Sequence, residues 1–176
     1  NETSAYKATG ETILVNPAIK DAEAYGIKST IKDMTHFMAA NMGLVPLDKD
    51  IQQALDNNRK GYYQASTFTQ GLGWEMYPYP TQLDNLLEGN SMDVVLKPQS
   101  MKTDNHPTAV LNNVWVNKTG ATNGFGGYIA YIPAEKSGIV ILANKNYPNA
   151  DRVKAAYTIL ESAITHWSSM SHKATL

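Results

Sequence analysis

The strongest periodicity in the chain lies close to its C-terminal end. There Val153, Ala156, Tyr157, Leu160, Ile164 and Trp167 recur at three- and four-residue steps. That spacing draws one apolar stripe along a helix beginning near Asp151, and the stripe requires a surface to pack on. Residues 168–176 lack the pattern and read as a frayed tail. Upstream the pattern becomes strand-like. Tyr128-Ile129-Ala130-Tyr131-Ile132 and Gly138-Ile139-Val140-Ile141-Leu142 are β-rich runs joined by the turn Pro133-Ala134-Glu135-Lys136-Ser137, and Val114-Trp115-Val116 precedes them. The connections are too short for helical crossovers, so the three segments are expected to be antiparallel neighbours.

The first half is more broken. Thr12-Ile13-Leu14-Val15 is strand-like and Asn16-Pro17 stops it. A helix is predicted from Ser29 or Thr30, with Thr30 and Asp33 as a capping pair and Ile31, Met34, Phe37 and Met38 as its apolar stripe, closing near Gly43. A second helix is expected over about 48–58, opened by Asp48 or Asp50 and presenting Ile51 and Leu55. Pro78 and Pro80 precede a short helix carrying Leu83, Leu86 and Leu87. Residues 88–109 read as a long loop around a Val94-Val95-Leu96 strand. The fold class is α+β: helices stacked on an antiparallel sheet, with a helical, loop-rich portion whose packing partner is expected to lie outside the chain.

Composition narrows the functional classes. At 176 residues, 43% hydrophobic and 18% charged, the chain can bury one sizeable core and is not globally disordered. Fifteen basic residues against sixteen acidic ones give no positive field for a polyphosphate backbone, so no nucleic-acid partner is expected. The absence of cysteine excludes disulfides and thiolate chemistry. His36, His106, His166 and His172 lack ligand spacing, and no metal or cofactor is expected. No apolar run approaches the roughly 20 residues of a membrane-spanning helix. Asn1-Glu2-Thr3-Ser4 has neither an initiator Met nor the features of a signal peptide, which fits a processed exported protein or a fragment.

The candidate chemistry is concentrated in Lys118-Thr119-Gly120-Ala121-Thr122-Asn123-Gly124-Phe125-Gly126-Gly127. A cation and a hydroxyl sit on a predicted strand, followed by glycines that allow another molecule to approach the backbone. Lys118 and Thr119 suit an anionic group such as a carboxylate, and the Ala121 amide could stabilise an oxyanion if the strand borders a cleft. A lone Lys-Thr-Gly is also compatible with an ordinary exposed lysine ahead of a glycine turn.

The wider context resembles class C serine β-lactamases. The resemblance is carried by residues 118–126, by Tyr131-Ile132-Pro133, Gly138-Ile139-Val140 and Leu142-Ala143-Asn144-Lys145-Asn146-Tyr147-Pro148-Asn149, and by Asp21-Ala22-Glu23-Ala24-Tyr25-Gly26-Ile27-Lys28-Ser29-Thr30 and Gln70-Gly71-Leu72-Gly73-Trp74-Glu75. It covers roughly residues 10–165 and implies a β-lactamase/transpeptidase-like fold that is incomplete in this chain. Residues 1–167 would be its C-terminal portion, with an omega-loop region over 1–28 and the strands plus C-terminal helix over 114–167. Lys118 and Thr119 then match the motif that binds the substrate carboxylate and helps organise the nucleophile. Ala121 matches the backbone half of the oxyanion hole, with Gly120 beside it in the binding strand. Asn149 and Arg152 match residues near the drug's carboxylate, and Tyr25 an omega-loop aromatic on the acylamino side. Residues 86–90 resemble the wall facing the other drug substituent. Asn117 departs from the histidine many relatives carry, a change expected to be tolerated because its side chain alternates faces with Lys118.

Two further patterns imitate catalytic motifs. Ser29-Thr30-Ile31-Lys32 spells Ser-x-x-Lys at a helix start, and Tyr147-Pro148-Asn149 spells Tyr-x-Asn. Their contexts resemble non-catalytic regions of the family, which leaves the chain without its nucleophilic serine and catalytic tyrosine. The resemblance implies that both belong to a missing N-terminal portion, that the isolated chain is inactive, and that the complete enzyme is a periplasmic monomer acting on β-lactam antibiotics through an acyl-enzyme. A D,D-peptidase or esterase of the penicillin-binding type and an inactive peptidoglycan-binding module are the alternatives.

Overall fold

The computed structural model describes residues 4–13, 27–107, 109–122 and 124–173, with the side chains of 171–173 left aside. Its elements in chain order are β1 Ala5–Tyr6, β2 Thr12–Ile13, α1 Ile31–Asn41, α2 Lys49–Asn58, β3 Tyr63–Gln64, β4 Thr69–Gln70, β5 Glu75–Pro78, α3 Leu83–Gly89, α4 Met92–Leu96, β6 Lys102–Thr103, β7 Val114–Ala121, β8 Gly126–Ile132, a single 3-10 turn, β9 Ser137–Ala143 and α5 Asn149–Lys173. Among the described residues, seven strands form one antiparallel sheet in the order β6-β3-β4-β5-β7-β8-β9. The three antiparallel strands expected from the sequence are its β7-β8-β9 side. Their last turn closes at Lys136, whose left-handed backbone lets a short 3-10 turn feed directly into β9.

Side-chain alternation splits the strands between two cores. On one face Tyr77, Trp115, Tyr128, Ala130 and Ile132 pack with Leu86 of α3 and with Val153, Ala156 and Leu160 of α5. This is the surface that the α5 stripe requires. Trp115 is fully buried, and its indole N–H donates to the Tyr128 hydroxyl at 3.3 Å, so the largest apolar group enters the core without an unpaired donor. On the other face Met76, Val114, Val116, Ile129 and Tyr131 pack with Met38 of α1 and with Trp74. The α1 start follows the expected cap: the Asp33 amide donates to Thr30 Oγ1 at 3.2 Å.

Several expectations are corrected. Val94-Val95-Leu96 is not a strand; it closes α4, because Ser91 caps that turn by accepting from the Val94 amide and Asp93 supports its positive end. The terminal helix does not end at Trp167 but continues to Lys173, and Trp167, expected on the buried stripe, is 72% exposed. Ile31 and Phe37 of the α1 stripe are exposed as well, whereas Met38 is buried and Met34 packs partly buried against the core. Strand Thr12–Ile13 is present, while Leu14 and Val15 lie outside the described residues. Finally, β1 is clipped onto the loop after β9 through Tyr6 N–H to Asn144 O at 2.9 Å and Asn146 N–H to Tyr6 O at 3.0 Å. That clip anchors the approach to Asn149.

Candidate active site

The site is built on a change of neighbours along β7. Strand β5 pairs with Val114, Trp115, Val116 and Asn117, and the last rung joins Glu75 to Asn117. Beyond it, Lys118, Thr119, Gly120 and Ala121 pair only with β8, to Ile129, Tyr128, Gly127 and Gly126 respectively. Among the described residues, the β5-side edge of 118–121 therefore carries unpaired backbone donors and acceptors, a template for an extended ligand. Burial follows the same break. Residues 114–117 are buried, Lys118, Gly120 and Ala121 are exposed, and Thr119 is half-buried. A methyl group built on Gly120 would meet no atom within 4 Å, so the strand faces open space there.

Lys118 is not a free cation. Its Nζ lies 2.8 Å from Glu75 Oε1, with the carboxylate side chain 11% exposed and the lysine side chain 44% exposed. The sequence offers Glu75 only within the Gln70-to-Glu75 resemblance; its contact with Lys118 depends on a cross-strand register that no local pattern announces. Asn117, on the opposite face from Lys118 as alternation requires, donates to the Glu75 carbonyl at 3.2 Å and accepts from Asn90 Nδ2 at 2.9 Å. After Ala121 the chain turns tightly, with Thr122 N–H to Phe125 O at 2.9 Å and Phe125 N–H to Thr122 Oγ1 at 3.2 Å. That turn fixes the end of β7 against β8.

Asn149 and Arg152 form a second feature on the first turn of α5. Arg152 is fully buried and its guanidinium is turned inward: it donates to the Tyr147 carbonyl at 3.3 Å and to Asn149 Oδ1, and lies over the Tyr147 ring at 5.0 Å from the centroid, while its Nε has no partner among the described residues. A side chain at Gly126 would collide with this guanidinium, so the glycine that begins β8 makes room for it. Arg152 thus orients Asn149, which is half-buried, while Tyr147 serves as the platform for Arg152. Tyr25 lies outside the described residues.

The apparent catalytic motifs are not assembled. Ser29 is exposed, one residue before the α1 cap, and among the described residues no hydrogen bond joins any serine to Lys118 or Thr119. Burial pushes the hydroxyls of Tyr77, Tyr128 and Tyr131 above the ordinary tyrosine range, Glu75 adding to the effect at Tyr77. Burial, then Glu161, pushes Tyr79 up to about 12. These four groups stay protonated near neutral pH and are unsuited to act as bases. Among the described residues, no group of three or more His, Asp or Glu could hold a metal ion, and no helix is long and apolar enough to cross a membrane.

An antiparallel sheet packed by helices is the architecture of the β-lactamase/transpeptidase fold, and here its strand β7 exposes a lysine, a half-buried hydroxyl and an open edge. The sequence model of the family described as Beta-lactamase matches residues 1–164. The chain therefore belongs to the β-lactamase family. It is 68% identical over 161 residues to a β-lactamase from Psychrobacter immobilis, covering 92% of this chain and 40% of that protein. Among solved structures, a class C β-lactamase in complex with cefoxitin shares 46% identity and a TM-score of 0.84, covering 90% of this chain and 44% of that one. A β-lactamase/D-alanine carboxypeptidase from Pseudomonas syringae shares 48% identity and a TM-score of 0.84, covering 90% and 44%. The chain spans about two fifths of the length of the curated relatives it matches.

Proposed function

We propose that this chain is the C-terminal portion of a class C serine β-lactamase and forms the anion-binding wall of its active site. The observation that carries this reading is the 118–121 half of β7, where a cation, a hydroxyl and an unpaired strand edge coincide. A serine from the preceding part of the same enzyme attacks the lactam carbonyl carbon, and its oxygen forms the acyl bond as the ring C–N bond breaks. The ring nitrogen takes up a proton, and water then cleaves the ester to release the opened acid. Lys118 and Thr119 hold the substrate carboxylate, Gly120 leaves its approach clear, and the Ala121 N–H supplies one of two amides facing the oxyanion. Asn149, oriented by Arg152, reaches toward the same carboxylate, and Tyr25 flanks the acylamino side. The complete enzyme acts as a monomer in the periplasm, without metal or cofactor.

A second reading, D-alanyl peptide hydrolysis by the same acyl chemistry, draws support from two similar solved structures, a β-lactamase/D-alanine carboxypeptidase at 48% identity and a D-alanine carboxypeptidase from Burkholderia cenocepacia at 39%. The complete enzyme assayed side by side on nitrocefin and on a D-alanyl-D-alanine peptide separates the two. Nitrocefin turnover well above peptide turnover supports the first reading, and the reverse order supports the second. Binding without turnover of either would instead favour an inactive peptidoglycan-binding module.

A further inference from the structure

The end of α3 is wired to the Lys118 cation by three hydrogen bonds in series. Asn90, the residue that ends α3, donates its amide to Asn117 Oδ1 at 2.9 Å; Asn117 donates to the Glu75 carbonyl at 3.2 Å; Glu75 Oε1 accepts from Lys118 Nζ at 2.8 Å. Asn90, Asn117 and Glu75 are 4%, 0% and 8% exposed, so water hardly competes for these bonds. Each end of the Asn117 amide has its own partner, which fixes its orientation. The wiring also falls where the sheet needs it: Glu75–Asn117 is the last rung between β5 and β7, and the next residue on β7 is Lys118 itself. Without the side-chain bonds, Glu75 would be held at the frayed end of a ladder.

We propose that Asn90 and Asn117 act as a positioning latch that holds Glu75, and through it the Lys118 ammonium, at the spot where a substrate anion is received. Both asparagines are buried and act through Glu75. The proposal rests on the reading of Lys118 as the anion-binding group, and it assigns Asn90, at the end of the segment that resembles a wall of the site, an indirect role. Loosening the latch leaves the charge in the molecule but lets it wander, and a misplaced group loses rate only on substrates that use it.

The test uses the complete enzyme with Asn117→Leu and, as a milder change at the helix end, Asn90→Ala. Two readouts are taken: turnover of an anionic β-lactam beside the methyl ester of the same compound, and competitive acetylation of lysines quantified by peptide mass spectrometry. The latch predicts that kcat/KM for the anion falls about tenfold while the neutral ester changes less than about twofold. Lys118 should acetylate several-fold faster relative to the other lysines, and combining both substitutions should add little to Asn117→Leu alone. Equal losses on anion and ester would mark ordinary structural damage and overturn the proposal. So would unchanged Lys118 labelling in a folded Asn90→Ala protein, which also covers the case in which Asn117→Leu fails to fold. Should the unsubstituted enzyme hydrolyse no β-lactam while Lys118 labelling still rises in the variants, the latch stands and the β-lactamase reading falls.

Discussion

The first four residues of β7 pair with β5 and are buried, Val116 and Asn117 having β8 on their other side as well, whereas the next four have β8 alone beside them and are exposed or half-buried. Composition follows the change of neighbours. Val114, Trp115 and Val116 fill the two cores, and Asn117 spends its amide on buried partners. Lys118, Thr119, Gly120 and Ala121 offer charge, hydroxyl and free backbone instead. A site residue on an otherwise rigid strand inherits that rigidity, because its orientation is set by a core a few ångströms away rather than by a loop. The difference shows how one strand can be scaffold and binding edge without any change of secondary structure.

Substitutions in the two halves should fail in different ways. The largest effect is expected from Trp115→Ala, which empties a fully buried indole site and should cost about 3–5 kcal/mol in urea denaturation. Lys118→Met should cut kcat/KM for anionic β-lactams by about 10²–10³-fold in the complete enzyme, and should cost only about 1–3 kcal/mol of stability, by leaving the Glu75 carboxylate without its partner. Comparable rates in variant and parent would remove Lys118 from the site. Gly126→Ala tests the far end of the open half, where Gly126 pairs with Ala121 and the added methyl meets the Arg152 guanidinium. A loss of about 1–3 kcal/mol is expected in thermal melts. Raised tyrosines set the alkaline behaviour of the scaffold. The unfolded chain ionises its tyrosines near about pH 10, while folded Tyr79 holds its proton to about 12 and the more deeply buried ones further. The unfolded state therefore binds fewer protons above pH 10. This contribution leaves stability unchanged below pH 10 and lowers it between about 10 and 12, which denaturation curves across that range will read. Smallest of all, Ser29→Ala should alter nitrocefin turnover by less than about twofold, within the range of ordinary surface changes.

Much of this contrast was legible in the sequence. The β-rich runs of β7, β8 and β9, the α5 stripe as far as Ile164 and the Thr30 cap are local signals, and each appears where its pattern places it. The lysine, hydroxyl and glycines of the site are legible for the same reason. Strands β3, β4 and β6 were not, because two residues are too few for alternation to register. Val94-Val95-Leu96 reads as a strand because two of its three residues are β-branched, whereas the Ser91 cap sets a helical turn there. The partners of the site residues were the least legible part. Glu75 meets Lys118 across 43 positions of chain and Asn90 meets Asn117 across 27, separations that only the sheet register closes. The resemblance puts Arg152 near the ligand carboxylate; the fold adds that its guanidinium is buried on Asn149 and Tyr147.

The central claim is that these residues supply the anion-binding wall while the nucleophile belongs to another part of the enzyme. It is tested most directly by trapping the complete enzyme with a slowly hydrolysed β-lactam and locating the acyl group by tandem mass spectrometry of its peptides. The account predicts a single acylated serine on a peptide outside these 176 residues. An acyl group on Ser29, or on any other serine of this chain, would contradict it.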